Sequence, residues 1–381
     1  MSLAGLAVGG GMGVWLLQVD LHGQAWGRAV SLTADPAHIP FFEPSPGRQE
    51  PAVAGRHPED LLVQVFDLLD QQDLDGALAT SRQLVESHPD FALAQFVQAQ
   101  LLEMRSSGQA ADSPIAAADA ATTRNVRELL DEARVRMAAH RMPPPTDLIP
   151  SALIEVSQRT RHVLAIDTSE ARLYVFENGE HGLRRVDDMY VTVGRRGVGK
   201  VEEGDQKTPI GVYHTGVLRS FRPADPRLGS NLFSLNFPNA LDRIAARGGT
   251  AILMHGAPPD TYSRPPQDSD GCLVFANQDL QRLVSRGLAH DTPVIIARKL
   301  DWRDPGAIAA PTAMNEAWRR WLATPRSPAS VIEDINMLGW NEQGVVVVSY
   351  SAVVGENRTR LRQYWGERDG RWQVLAEGEV R

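Results

Sequence analysis

Cys272 is the only cysteine in a chain of 381 residues. It stands in Ser269-Asp270-Gly271-Cys272-Leu273, seventeen positions after the His255 of a His255-Gly256 pair. A thiol, an imidazole upstream and a glycine that lets the backbone pack close to the sulfur are the minimum parts of a cysteine acyl-transfer site. A free thiol with a pKa of about 8.5 is mostly protonated at neutral pH, so a nucleophilic cysteine needs a base or a local positive field. His255 is the leading base because it closes the apolar run Ala251-Ile252-Leu253-Met254, which predicts a strand with the imidazole at its end. The backbone N–H groups of Gly271 and Cys272 are natural oxyanion donors, one good donor being worth about 2.7–4 kcal/mol of barrier. The alternative reading is purely structural, with Cys272 a small buried hydrophobe and His255 a satisfied core residue.

Composition narrows the classes. Hydrophobic residues make up 43% and charged residues 23%, as in soluble proteins that bury ordinary cores, and the length allows two or three domains. A formal net charge of -8, without a run of Lys or Arg, argues against a nucleic-acid partner. One cysteine rules out an intramolecular disulfide and any multi-cysteine metal site. The first nineteen residues are uncharged and include Trp15-Leu16-Leu17, with Gly23-Gln24-Ala25 following. This pattern predicts a signal peptide or anchor over residues 1–25, although the basic start of a typical signal is missing. A periplasmic or envelope location is the corresponding expectation.

The elements that must position the site follow from periodicity. Residues 26–57 are rich in Pro, Gly and small polar types and read as a linker. Residues 58–105 are helical in period: Leu61, Leu62, Val65, Phe66 and Leu69 form one stripe, Ala77, Leu78, Leu84 and Val85 the next, and a break at His88-Pro89-Asp90 precedes Phe91, Ala94, Phe96 and Val97. Such a hairpin resembles one tetratricopeptide-type unit, suited either to packing on a neighbouring domain or to docking an envelope partner. Residues 106–150 read as an Ala/Pro-rich linker with one helix over 124–141. From 151 to 300 the period becomes strand-like, with strands expected at 163–167, 173–177, 189–193, 210–215, 251–255 and 294–297, a hairpin turn at Asn178-Gly179, and a short helix at 279–286. That predicts a mostly antiparallel sandwich or barrel. After a linker at 301–310, residues 311–381 read as a small α+β module: a helix around 315–322, then strands at 344–352, 358–367 and 371–377, the last two joined at Asp369-Gly370. The fold class expected is therefore multidomain, with a helical N-terminal region, a mainly-β central domain and a small C-terminal module.

The central segment resembles the YkuD-type L,D-transpeptidases, whose signature is His-Gly, a gap, then Ser-x-Gly-Cys and an apolar residue. Leu164-Ala165-Ile166-Asp167 with Arg172-Leu173-Tyr174-Val175-Phe176-Glu177-Asn178-Gly179 is similar to the family's opening strand pair, and Lys207-Thr208-Pro209-Ile210-Gly211 to its Thr-Pro-x-Gly turn. Phe237-Pro238-Asn239-Ala240-Leu241-Asp242-Arg243 resembles the murein-associated YafK-like branch. The resemblance spans about residues 161–298. It implies a cysteine enzyme of peptidoglycan in which Cys272 attacks the amide after the third residue of a stem peptide, releases D-Ala and forms a thioester that an amine resolves. It also implies that His255 takes the thiol proton, that the Gly256 carbonyl orients the ring, and that no metal or organic cofactor takes part.

Two departures stand out, because many members carry His or Arg where this chain has Asp270, and Arg or Asn where it has Val274. A carboxylate within about 4 Å of a thiolate disfavours it by several kcal/mol, so Asp270 is expected to point away or to pair, with Arg264 the nearby candidate. The loop Ala257–Asp268, stiffened by Pro265-Pro266, bridges base and nucleophile. It is suited to form one wall of a substrate cleft, with Tyr262, Arg264, Ser269 and Asp270 as candidate substrate contacts. Arg264 suits a carboxylate.

Other enzyme classes fit less well. The three lysines, Lys200, Lys207 and Lys299, have no serine three residues before them, which excludes a Ser-x-x-Lys transferase. Papain-like proteases carry their cysteine ahead of the histidine. Within the cysteine reading, hydrolysis of the same thioester by water remains open, and from another class so does a non-catalytic envelope scaffold. The C-terminal module weakly resembles the cone-shaped fold of nuclear transport factor 2 relatives, with dimerisation or glycan contact as its possible roles.

Overall fold

In the computed structural model of the chain, residues 56–107, 120–220, 226–229, 231–325 and 330–380 are described. The expected signal segment and nearly all of the first linker lie outside them. The chain divides into two compact units: residues 1–140 with Asp260–Pro265, and Arg141–Pro259 with Pro266–Arg381.

The described part of the first unit is helical. Helices α1 (Pro58–Asp70), α2 (Leu74–Ser87), α3 (Ala92–Ser107) and α4 (Ala120–Arg141) follow in order. Pro58 opens α1 at a position where a missing N–H costs nothing, and the Asp73 carboxylate caps α2 by accepting from the Gly76 N–H at 2.9 Å. Leu61, Leu62, Val65, Ala77, Leu78, Leu84, Phe91 and Ala94 are buried, so the helical stripes read from sequence form the core. The hairpin expected over 58–105 is in fact three helices, because Gln71–Asp73 makes a turn that the continuous apolar stripe concealed.

The second unit contains two sheets. Its eight-stranded sheet has the order β11-β9-β8-β7-β12-β3-β4-β5. The strands are β3 (His162–Asp167), β4 (Arg172–Gly179), β5 (Gly182–Tyr190), β7 (Gly211–Ser220), β8 (Asn231–Leu235), β9 (Leu253–Gly256), β11 (Leu273–Phe275) and β12 (Pro293–Ala297). Two short strands, β6 (Val193–Gly194) and β10 (Gln267–Ser269), pair with each other in parallel. The sheet is mostly antiparallel, as expected, with two parallel pairings: β12 with β3 and β11 with β9. The β9–β11 pairing needs a crossover, which the loop between base and nucleophile supplies.

One face of this sheet buries Leu164, Ile166, Leu173, Val175, Tyr213, Phe233, Met254 and Phe275 with Leu280 and Leu283 of α6 (Asn277–Ser285). The other face meets the second sheet, β17-β16-β15-β14-β2, built from β2 (Leu153–Glu155), β14 (Val331–Trp340), β15 (Val345–Val354), β16 (Asn357–Arg368) and β17 (Arg371–Glu379). Val163, Tyr174, Phe176, Val212 and Ile295 share that core with Leu338, Trp340, Val347 and Tyr364. Helix α7 (Thr312–Ala323) covers the outer face of this second sheet with Met314, Ala317 and Trp318. A further short helix, α5 (Ala240–Ile244), starts at Asn239 with a capping box to Asp242.

Several expectations change. The C-terminal residues are not a separate module, because their sheet takes β2 from before the catalytic segment and shares a core with it. Residues 301–310 are not a free linker: β13 (Trp302–Arg303) pairs with β1 (Ile149–Pro150), and Trp302 packs edge-on to Tyr174 at 5.0 Å. Strand β14 was not expected, since Glu333 and Asp334 break its apolar alternation and Asp334 has φ 54. Asn178-Gly179 is paired within the β4–β5 ladder, with the turn two residues on at Glu180-His181. The Asn178 amide is held by the Ser157 and Thr160 carbonyls at 3.0 and 3.2 Å, and Gly182 takes the positive φ instead.

Candidate active site

The candidate base is placed by β9 and the candidate nucleophile by the turn that leads into β11. The parallel register pairs Leu273 with Met254 and Val274 with His255. Met254 and Leu273 point into the apolar core, so His255 projects from the opposite face of the sheet. Cys272 stands one residue ahead of β11, in the turn that Gly271 makes at φ 121.

His255 is 5% exposed, and its Nδ1 lies 2.7 Å from the Gly256 carbonyl oxygen. A carbonyl only accepts, so Nδ1 carries the proton and, in the neutral ring, Nε2 keeps its lone pair. The backbone thus fixes the tautomer that a general base requires. A Cβ at Gly256 would meet the Asn277 Oδ1 at 2.0 Å and displace that side chain. Asn277, the first residue of α6, donates through Nδ2 to the Ala257 carbonyl at 3.0 Å, so helix α6 holds the strand end on which the imidazole sits.

The nucleophile turn is held from both sides. Thr192 and Val274 exchange backbone hydrogen bonds at 2.9 and 3.0 Å, Val193 N–H donates to the Pro266 carbonyl at 2.9 Å, and Arg195 N–H to the Ser269 carbonyl at 2.7 Å. Gly271 has φ 121, and a Cβ there would stand 2.7 Å from the Lys207 carbonyl oxygen, so the residue before the thiol must be glycine. Ser269, 2% exposed, accepts the Gly271 N–H at 3.1 Å and donates to the Cys272 carbonyl at 2.6 Å. Thr208, fully buried, donates to the Gly271 carbonyl at 3.0 Å and accepts the Gly194 N–H at 2.9 Å. Cys272 itself is half-buried.

Four sequence expectations are corrected by these contacts. The Gly271 N–H is spent on Ser269, which removes it as an oxyanion donor. Ser269 braces its own turn, with both hydrogen-bonding functions engaged by backbone, and does not face a substrate. Asp270, with its side chain 65% exposed, accepts from Gln206 Nε2 at 3.2 Å and faces Arg195 Nη1 at 3.9 Å; its arginine is Arg195, where the sequence suggested Arg264. Arg195 also pairs with Asp268 at 3.0 Å. Tyr262 does not line a cleft, because its ring is 4% exposed and lies 4.3 Å from the Phe91 ring in the helical unit, to which Arg264 also belongs. Thr208 was read only as part of a turn. Its Thr-Pro context was the available signal, but nothing in a sequence says that a hydroxyl reaches a glycine carbonyl sixty-three residues later.

Residues 161–296 match the family model of the YkuD L,D-transpeptidase catalytic domain. The chain therefore carries a YkuD-type L,D-transpeptidase domain, which includes both candidate residues. No curated protein matches the chain. Among solved structures it is similar to Bd1075 of Bdellovibrio bacteriovorus, at 16% identity and TM-score 0.46 over 61% of this chain and 98% of that one. It is also similar to the helical cell shape determining protein Pgp2 of Campylobacter jejuni, at 18% identity and TM-score 0.46 over 64% and 99%. An L,D-transpeptidase of Mycobacterium smegmatis matches at 15% identity and TM-score 0.24 over 36% and 58%.

Proposed function

We propose that the protein is a cysteine L,D-transpeptidase acting on peptidoglycan stem peptides. The observation that carries this reading is the imidazole of His255, locked by the Gly256 carbonyl with Nε2 as its acceptor nitrogen, on the strand that pairs with β11, which begins directly after Cys272, within a YkuD-type domain. In the first half-reaction Nε2 takes the Cys272 proton, and the thiolate attacks the carbonyl that links the third stem-peptide residue to D-Ala. The tetrahedral adduct collapses, the C–N bond breaks, and the imidazolium returns the proton to the departing amine, leaving a thioester on Cys272. In the second half-reaction an acceptor amine, deprotonated by the same imidazole, attacks the thioester and restores the thiol. The protein's own groups supply the proton transfers, so no metal or organic cofactor enters this scheme.

A peptidoglycan substrate places the working protein in the cell envelope, with residues 1–25 as the export segment and stem peptides as its partners. Incubation with a disaccharide tetrapeptide, followed by mass spectrometry of the products, tests the reading. Cross-linked dimers are expected, tripeptide alone would mean hydrolysis by water, and an unchanged donor with no adduct on Cys272 would sink the proposal in favour of a scaffold.

A further inference from the structure

Trp340 ends β14 in the second sheet and is 3% exposed. Its indole lies directly on the backbone of Gly211, where β7 begins: a Cβ on Gly211 would stand 2.7 Å from Cζ2 and 2.8 Å from Cε2 and Cη2 of the ring. Gly211 has φ 149, so a side chain there would be strained as well as obstructed. The Tyr213 ring lies 6.2 Å from the indole between centroids. The Arg247 guanidinium, held by Asp242 at 2.9 Å, lies over the indole at 5.1 Å. All of these residues belong to the sheet unit.

Gly211 closes the segment Thr208-Pro209-Ile210-Gly211, which is buried throughout. Pro209 fixes its own φ, and the Ile210 carbonyl accepts the Tyr213 hydroxyl at 3.3 Å. At the other end Thr208 donates to the Gly271 carbonyl at 3.0 Å, which belongs to the peptide bond that joins Gly271 to Cys272. The indole is therefore linked to that peptide by one short buried segment and one hydrogen bond. Core filling alone does not account for this tryptophan. Its Nε1–H is buried without a hydrogen-bond partner among the described residues, a cost that an aliphatic side chain would avoid. What the indole provides is a flat, rigid surface against a bare backbone, and close-packed interiors transmit displacement rather than absorb it.

We infer that Trp340 is a positioning residue for the reaction at Cys272: it fixes Gly211 and, through Pro209 and Thr208, the turn that carries the nucleophile. The inference rests on the proposed transpeptidase reading. The second sheet thus contributes to the reaction without touching the substrate.

The test uses the full chain and the variants Trp340→Leu, Trp340→Phe and Trp318→Leu, the last removing an indole that α7 packs on the other face of the same sheet. Three readouts are followed: kcat and KM for acylation by the disaccharide tetrapeptide, the pH dependence of Cys272 alkylation by iodoacetamide, and backbone hydrogen exchange across residues 207–212 and 269–272. Trp340→Leu is expected to lower kcat by about ten- to a hundred-fold, the cost of a misplacement of about 1 Å, with KM little changed because a buried indole meets no substrate. Its alkylation profile should move toward that of a free thiol, with a pKa of about 8.5, and exchange should quicken in both segments. Trp340→Phe keeps part of the aromatic surface on Gly211 and should lose less of each, and it decides the matter if Trp340→Leu does not fold. Trp318→Leu should lower the melting temperature while leaving kcat, the alkylation profile and exchange in both segments as in the wild type. An active wild-type protein whose folded Trp340 variants match it in all three readouts would overturn the positioning role and leave the transpeptidase reading intact. So would a Trp318→Leu variant that reproduces their losses, since general loosening would then explain them. A wild-type protein that is never acylated would instead remove the transpeptidase reading. Exchange in residues 269–272 then decides the positioning role alone: faster exchange in the Trp340 variants supports it, and unchanged exchange overturns it.

Discussion

Groups that lie side by side in the sequence carry different tasks. Cys272 carries the acyl group, so Cys272→Ala is expected to abolish adduct formation with a tetrapeptide donor, read by intact-protein mass spectrometry. His255→Gln should slow acylation by about 100- to 10,000-fold, the range for a lost general base. Ser269→Ala leaves the Gly271 N–H and the Cys272 carbonyl without their partner, at about 1–3 kcal/mol for a buried polar group. It should lower both the melting temperature and the acylation rate. Asp270→Asn is expected to change the acylation rate by no more than a few-fold, because Asp270 is largely exposed and faces Arg195 and Gln206. The cysteine and histidine were legible because their types and spacing carry chemistry in themselves. Spacing does not reveal that the Ser269 hydroxyl faces its own backbone, or which distant arginine folds back towards the Asp270 carboxylate.

Elements were legible where one periodicity ran unbroken. The β-branched and aromatic runs of β3, β4 and β12 and the stripe of α1 predict their positions to within a residue or two, and Asp369-Gly370 reads as a turn, with both residues at positive φ. Strand β14 escaped because its charged Glu333-Asp334 stretch bulges at an irregular register. The parallel β9–β11 pairing was equally hidden, since nothing local distinguishes it from an antiparallel one. Yet that pairing sets the strand that carries His255 beside the one that Cys272 leads into, and Thr208 ties β6 to the turn before it. Thr208→Val keeps the shape while removing a donor to Gly271 and an acceptor for Gly194. At about 1–3 kcal/mol and about 2–4 °C per kcal/mol for a unit of this size, it should lower the melting temperature by about 2–12 °C. Acylation should fall alongside it, and a variant with unchanged melting and unchanged rate would contradict the bracing role.

For the whole molecule, the two-sheet unit was the least legible feature, because its core is assembled from residues that precede and follow the catalytic segment. Where the sheets meet, His214 is 2% exposed, with neither ring nitrogen hydrogen-bonded among the described residues, in the field of His290 and of Arg362 and Arg360, both of which pair with Asp291. Burial first, and then the two arginines and His290, hold its pKa well below the usual histidine value. The unfolded chain therefore binds a proton that the folded chain refuses, so this contribution to stability is full above about pH 6.5 and is lost as the pH falls below it. His214→Phe is expected to flatten the decline of melting temperature on acidification below that point, and an unaltered pH profile would contradict the assignment. The central claim, that Cys272 becomes an acylating thiolate through His255, is tested most directly by mass spectrometry of the full-length protein during turnover of a disaccharide tetrapeptide. A tripeptide-bearing thioester is expected on Cys272 that is lost on adding an acceptor amine and fails to form in His255→Gln on the same timescale. A wild-type protein that stays unmodified, or a His255→Gln variant acylated as fast as wild type, would contradict it.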